Sequence, residues 1–148
     1  MSDCIFCKIA TGEIPSYKVY EDDNVLAFLD HTPVNAGHTL VIPKKHFNTF
    51  LDLPSDLVGE IMSVISKISP AVVAGSGAQG FNLNLNNGET SGQVVFHAHW
   101  HIIPRYKNDG LKHWTSRDYS AGEAEEVLEK IKKIINSKTL KTQKTSIF

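Results

Sequence analysis

Cysteine is scarce in this sequence: Cys4 and Cys7 are the only two in 148 residues. A disulfide-stapled scaffold is thereby excluded, and a C-x2-C pair points instead to a reducing compartment and a metal or redox role. An excess of charge of one sign is missing too. Lys and Arg number 15 against 16 Asp and Glu, a formal net charge of -1. The basic footprint that a general nucleic-acid coat needs to release counterions is therefore absent. Apolar runs are short. The first residues form no signal-like apolar segment and place Asp3 where basic residues belong. No stretch reads as the ~20 apolar residues of a membrane helix. Neither repeats nor a low-complexity linker break the chain. These absences predict a cytoplasmic protein with neither membrane nor nucleic acid as its partner.

The chain does have enough apolar residues, 41% of the total, to bury one ordinary core without staples. Residues 4–10 read as a short helical turn, stopped by Gly12 and Pro15. Lys18–Glu21 and Val25–Leu29 read as strands about a polar turn, and His38–Ile42 as a third strand ended by Pro43. With Ser55 as N-cap, Leu57, Val58, Ile61, Met62, Ile65 and Ile68 recur at helical spacing, and Pro70 is expected to end or kink that helix. Phe81, Leu83 and Leu85 alternate with asparagines, the period of a half-buried strand. Gln93–Ile103 is the longest strand candidate. Ser120 with Glu123 forms a capping box for a last helix, with Val127, Leu128, Ile131, Ile134 and Ile135 on its apolar side, and the final dozen polar residues read as loose. Hairpin-like neighbours around one central helix predict an α+β domain, with an antiparallel sheet of about five strands and a C-terminal helix.

The chemistry concentrates in Val-Val-Phe-His-Ala-His-Trp-His-Ile-Ile-Pro, residues 94–104. His97, His99 and His101 lie at i, i+2 and i+4, so on a strand they share one face within about 14 Å. Phe96, Ala98, Trp100 and Ile102 then take the opposite face and read as core. Three imidazoles in register are costly without work to do, because each neutral ring needs partners for both nitrogens. Two chemistries suit them. One is a metal cluster, since neutral imidazole is a common zinc ligand. The other is nucleophilic attack on phosphorus: a ring with an ordinary pKa of ~6.5 is largely neutral at pH 7, and its neighbours can stabilise charge or protonate a leaving group.

His-Ala-His-Trp-His-Ile-Ile resembles the signature of the histidine triad (HIT) family of nucleotide hydrolases and transferases. Cys4-Ile-Phe-Cys7-Lys-Ile, Val25-Leu-Ala-Phe-Leu-Asp30, Gly37-His-Thr-Leu-Val-Ile-Pro-Lys-Lys-His46 and Asn86-Asn-Gly-Glu89 followed by Gln93 are similar to that family's landmarks, in its order. The resemblance implies a single domain over 1–148, with a core at 4–106 and a variable tail at 107–148. It implies that His99 attacks the α-phosphate to form a nucleotidyl-histidine that water hydrolyses. His101, His38 and Gln93 would complete the catalytic group, with His101 assisting the leaving group. Gln93 and Asn86 would bond near the scissile phosphate and Asp30 would accept from the ribose, while Phe6, Ile9 and Phe28 would wall the base pocket. A purine nucleotide of AMP type is the implied ligand, nucleoside phosphoramidates and dinucleoside polyphosphates the implied substrates, and a homodimer built on the central helix and part of the sheet the implied assembly. A rival from another class is a nucleotide-binding regulator with incidental turnover.

Read by themselves, Cys4 and Cys7 fit a zinc clip, a redox pair or buried thiols. Zinc-carrying members of the family, which this chain resembles, add a His after the Pro-Lys-Lys segment and the first triad His. The implied site is Cys4, Cys7, His46 and His97 around a structural zinc, closed because no coordination position is left open. His31 and Trp100 depart from the usual pattern of the family. His31 is expected to sit in solvent, Lys44 and Lys45 to form a solvated surface, and His113 and Trp114 to lie where relatives vary.

Overall fold

The computed structural model describes residues 3–112 and 114–137, so His113 and the polar tail past Ser137 lie outside the described residues. The structure divides after Asp109 into two units, and every candidate site residue belongs to the first. Its elements are α1 (Ile5–Ala10), β1 (Lys18–Glu21), β2 (Val25–Leu29), β3 (Thr39–Pro43), α2 (Ser55–Ser76), β4 (Gly80–Leu85) and β5 (Trp100–Arg105). The five strands form one sheet in the order β1-β2-β3-β5-β4, with every neighbouring pair antiparallel. The expected α+β architecture and the antiparallel five-stranded sheet are thus observed.

Strand alternation sorts the core into two layers. Val25, Ala27, Val41, Trp100 and Ile102 face Ile61, Val64, Ile65, Ile68 and Val72 of α2. Leu26, Phe28, Leu40 and Ile42 pack with Phe6 and Ile9 of α1 on the other side. β2 and β3 are therefore covered on both faces, which is why they read as nearly unbroken apolar runs. The pairs Phe28–Leu40, Leu40–His101 and His101–Asn84 run across four strands. That row places His101 on the α1 face of the sheet.

Five expectations need correction. Pro70 does not end α2, which starts one residue after its Pro54 cap and runs on to Gly77 at φ 72°. Pro70 is exposed, the hydroxyl of Ser69 donates to the Ile65 carbonyl just before it, and buried residues on both sides fasten the helix to the sheet. That packing outweighs the ~3 kcal/mol a mid-helix proline costs. α2 also spans 22 residues at a hydropathy of 1.5, long and apolar enough to cross a membrane by length and composition; within this chain its buried stripe is the core's. The triad strand begins at Trp100 rather than Gln93. β4 pairs with β5 only up to Leu85–Trp100 and β3 only up to Val41–Trp100, so residues 93–99 have no full ladder to join. Phe96, expected in the core with Ala98 and Trp100, is instead 46% exposed. Finally, Phe81 and Leu83 of β4 are exposed and, with Met62, Pro70 and Val73 of α2, line an open apolar groove of about 680 Å³.

In the second unit α3 covers Glu123–Asn136. The Glu123 carboxylate accepts from the Ser120 N–H at 2.9 Å and from its hydroxyl at 3.1 Å, so only the Glu half of the expected box forms. The aliphatic stripe from Val127 to Ile135 is exposed.

The loop before β3 turns at Gly37, whose φ is 85°. A Cβ there would lie 2.9 Å from Cβ of Ser76 and 3.3 Å from Cγ of Pro104. Gly37→Ala is expected to lower stability by about 1–3 kcal/mol, from left-handed backbone strain and that overlap. An unchanged urea midpoint would contradict this.

Candidate active site and metal centre

Two sites share the segment from His97 to His101. At the first, His99 is buried and its Nδ1 lies 2.6 Å from the main-chain oxygen of His97. A carbonyl only accepts, so Nδ1 carries the proton and the Nε2 lone pair of the neutral ring is left for a substrate. The rings of Phe6 and His101 stand 5.1 and 4.8 Å from it.

The two remaining imidazoles of this site are ordered by a chain of hydrogen bonds. The Val34 N–H donates to Nδ1 of His38 at 3.2 Å, which assigns the His38 proton to Nε2. That N–H in turn donates to Nδ1 of His101 at 3.0 Å, leaving the His101 proton on Nε2. This last atom is buried and has no hydrogen-bond partner among the described residues. A buried N–H without a partner is costly and marks the place where a ligand acceptor fits.

Burial pushes the pKa of His99 and His38 below the ordinary value, and that of His101 down to about 4, with the other imidazoles adding to the shift of His101 and of His38. All three rings are consequently uncharged at neutral pH. Asp30 stands beside them, its Oδ2 3.5 Å from Nδ1 of His38, while its Oδ1 accepts from the Thr32 N–H at 3.0 Å. Phe6, Ile9 and Phe28 adjoin as buried apolar residues of the α1 layer.

Gln93 and Asn86 hold main chain. The Gln93 Oε1 accepts from the Gly88 N–H, and its Nε2 donates to the carbonyls of Asn48 and Val95. Asn86 donates to the Gly92 carbonyl at 3.3 Å. They fix the loop that leads into the triad. His31 is exposed, as expected. Lys44 is ion-paired with Glu21 at 2.9 Å, and the Lys45 ammonium lies 5.6 Å from the centre of the Phe47 ring.

At the second site the ligand atoms of Cys4, Cys7, His46 and His97 all lie within 4.8 Å of one another. Nδ1 of His97 is 3.5 and 3.6 Å from the two sulfurs, and Nδ1 of His46 is 3.3 Å from that of Cys7. Two S and two N ligands in a tetrahedron about zinc would stand ~3.6 Å apart from S to N. Both Nε2 atoms are engaged by acceptors, the Pro43 carbonyl at 2.8 Å and the Asn48 side-chain oxygen at 2.9 Å. Those bonds turn a lone pair of each ring inward, the outer-shell pattern of metal-binding histidines. The residues fit a tetrahedral soft metal ion.

Sequence reasoning missed Val34, whose contribution is a main-chain N–H, and Asn48, which serves both sites. It also missed Asn84, the ladder neighbour of His101; its place in the Asn82, Asn84, Asn86 alternation was the available signal.

Residues 11–108 match the HIT domain, and the chain belongs to the HIT family of nucleotide-binding hydrolases and transferases. It is 48% identical over 115 residues to adenylylsulfatase HINT3 of Arabidopsis thaliana, a match that covers 78% of this chain but only 57% of that protein. Identity to the protein hit of Bacillus subtilis is 51% over 110 residues, 74% of this chain and 76% of the relative. Among solved structures, a HIT family member from Bacillus subtilis superposes with a TM-score of 0.83 at 44% identity, covering 92% and 99% of the two chains. A histidine triad nucleotide-binding protein from Candida albicans gives 0.79 at 32% identity, covering 90% and 97%.

Because the folded protein keeps these imidazoles neutral, the unfolded chain takes up protons first as pH falls, and stability must drop. The expected result is an apparent Tm that declines from about pH 6.5 toward 4. In an NMR titration His101 should protonate near pH 4; titration of its ring at the ordinary value would refute the burial argument.

Proposed function

We propose that the protein hydrolyses purine nucleotides at the α-phosphate, with nucleoside 5'-phosphoramidates as the favoured substrates. The observation that carries this reading is the pairing of a bare His99 Nε2 with an unpartnered His101 Nε2–H on one face of the sheet. Attack by Nε2 of His99 forms a P–N bond as the bond to the leaving group breaks. The His101 N–H hydrogen-bonds that leaving group, and the proton the departing amine takes comes from solvent through this ring, whose affinity for a second proton rises when an anionic phosphate lies beside it. Water then cleaves the nucleotidyl-histidine and releases the monophosphate. Asp30 would accept from the ribose, and Phe6, Ile9 and Phe28 would enclose the base.

Dinucleoside polyphosphates need the same attack with a different leaving group. An adenylyl sulfate is a further substrate to test, on the strength of the Arabidopsis relative's name. A nucleotide-binding regulator is the reading to adopt if binding occurs without turnover. The comparison to make is AMP release from adenosine 5'-phosphoramidate, diadenosine tetraphosphate and adenylyl sulfate, by wild type and His99→Ala. Turnover that vanishes in the variant supports the nucleophile, and the fastest substrate identifies the leaving group. Equal turnover in both proteins would overturn the assignment.

Zinc is proposed for the Cys4, Cys7, His46 and His97 cluster, where it would act structurally by joining α1 to the triad segment. Metal analysis should find one zinc per chain, lost in the Cys4→Ser/Cys7→Ser double variant. Unchanged metal content would reject that site. A homodimer through α2 and β4 is proposed from the open groove lined by Phe81, Leu83 and Met62, since exposed contiguous apolar surface marks contact sites. Light scattering should report a dimer for wild type and a monomer for Leu83→Glu. A wild-type monomer at micromolar concentration would refute the assembly.

A further inference from the structure

Asn35 takes no part in the chemistry proposed above, yet it ties the loop that carries the Val34 N–H to the end of β5. The loop between Asp30 and His38 is closed at its base by the Asp30 N–H, which donates to the His38 carbonyl at 2.9 Å. Its far half is clamped to the end of β5. The Asn35 side-chain amide donates to the Pro104 carbonyl at 2.9 Å and to Oδ2 of Asp109 at 3.2 Å. Asp109 is itself held by two bonds from Arg105, at 2.6 and 3.0 Å. The Asn35 carbonyl accepts from the His38 N–H at 3.0 Å, and that of Ala36 accepts from the Tyr106 hydroxyl at 3.1 Å. Val34 is exposed, and its N–H is aimed at Nδ1 of His38.

A main-chain N–H cannot accept. While it points at His38, Nδ1 of that ring must be the lone pair and Nε2 the donor. The constraint passes on: Nδ1 of His101 must accept, so Nε2 of His101 must carry the proton. If the Val34 N–H turned away, Nδ1 of His38 could donate to Asp30, whose Oδ2 is 3.5 Å distant. Then Nε2 of His38 would accept, Nδ1 of His101 would donate, and the atom facing substrate would be a bare lone pair opposite phosphate oxygens. One hydrogen-bond direction at the loop thus sets the donor or acceptor character of an atom two rings away.

We infer that Asn35 is a positioning residue: by fixing the loop on Pro104 and Asp109 it holds the Val34 N–H on His38 and so keeps His101 as an Nε2–H donor. The inference rests on the proposed role of His101, but its first test needs no substrate. In the full-length protein with 15N-labelled histidine, two-bond 1H–15N correlations distinguish the protonated from the bare ring nitrogen. Wild type should show His38 and His101 both protonated at Nε2. A proton on Nδ1 of either ring in wild type would overturn the inference without any variant.

In Asn35→Ala the His101 population should move toward Nδ1–H. The kcat for whichever nucleotide is turned over should fall at least ~10-fold, a partial loss of the ~10²–10⁴ that a positioned proton donor contributes, with KM little changed. Unchanged tautomers in a folded Asn35→Ala protein, read alongside its circular dichroism, would also overturn it. Should Asn35→Ala not fold, Asp109→Asn keeps an acceptor for Asn35 while weakening the clamp, and a partial tautomer shift is expected; none would reject the inference. If wild type shows the expected tautomers, lost in the variant, but turns over no nucleotide, the proposed activity fails while the role of Asn35 stands.

Discussion

The bond from Nδ1 of His99 to the carbonyl of its own neighbour, His97, is the constraint on which the site depends. It exists because residues 97–99 lie before the ladder of β5 begins, where the His97 carbonyl is free to accept from a side chain. The Ala98 N–H meanwhile donates to the Phe47 carbonyl at 2.7 Å, which fixes the turn of the chain. A regular strand would have engaged the carbonyl of His97 in a neighbour's ladder and left the ring of His99 to find another acceptor. Irregularity here is what gives the ring of His99 a defined tautomer.

The same short stretch joins two chemistries. The side chain of His97 faces two sulfurs and a second imidazole, while its main chain holds His99. Phe6, which lies between Cys4 and Cys7, packs against both rings. α1 is only six residues long and has no side-chain cap, too short to persist by itself in water. Its place over His99 rests on the apolar layer it shares with β2 and β3 and on the thiol–imidazole cluster at its start. Burial of neutral rings supplies the remaining logic. Desolvation keeps His38, His99 and His101 uncharged, and each uncharged ring has one donor and one acceptor whose directions the surrounding main chain dictates.

Much of the site was legible because its residues cluster in sequence. The i, i+2, i+4 histidines, the C-x2-C pair and the polar Asp30 after an apolar strand carry their chemistry in their identity. β2, β3 and α1 were readable from local periodicity and stop signals. The errors share a cause. The local propensity of Pro70 argues for a helix end, but the packing of Ile65, Ile68 and Val72 overrides it. Residues 93–99 have strand-like composition, but strands need partners, and β4 has already turned away at Asn86. Phe81 and Leu83 alternate properly, yet their face is covered by nothing within the first unit.

The sequence by itself determined the class of chemistry, the sheet's central strands and the residues able to hold a metal, because residue type and spacing are local properties. Tertiary structure alone decided which imidazole nitrogens carry protons, that Gln93 and Asn86 brace a loop, and that Val34 and Asn35 matter at all. Those outcomes depend on main-chain donors and acceptors, which every residue has and no sequence pattern marks. Only the folding of distant segments onto one another chooses their partners.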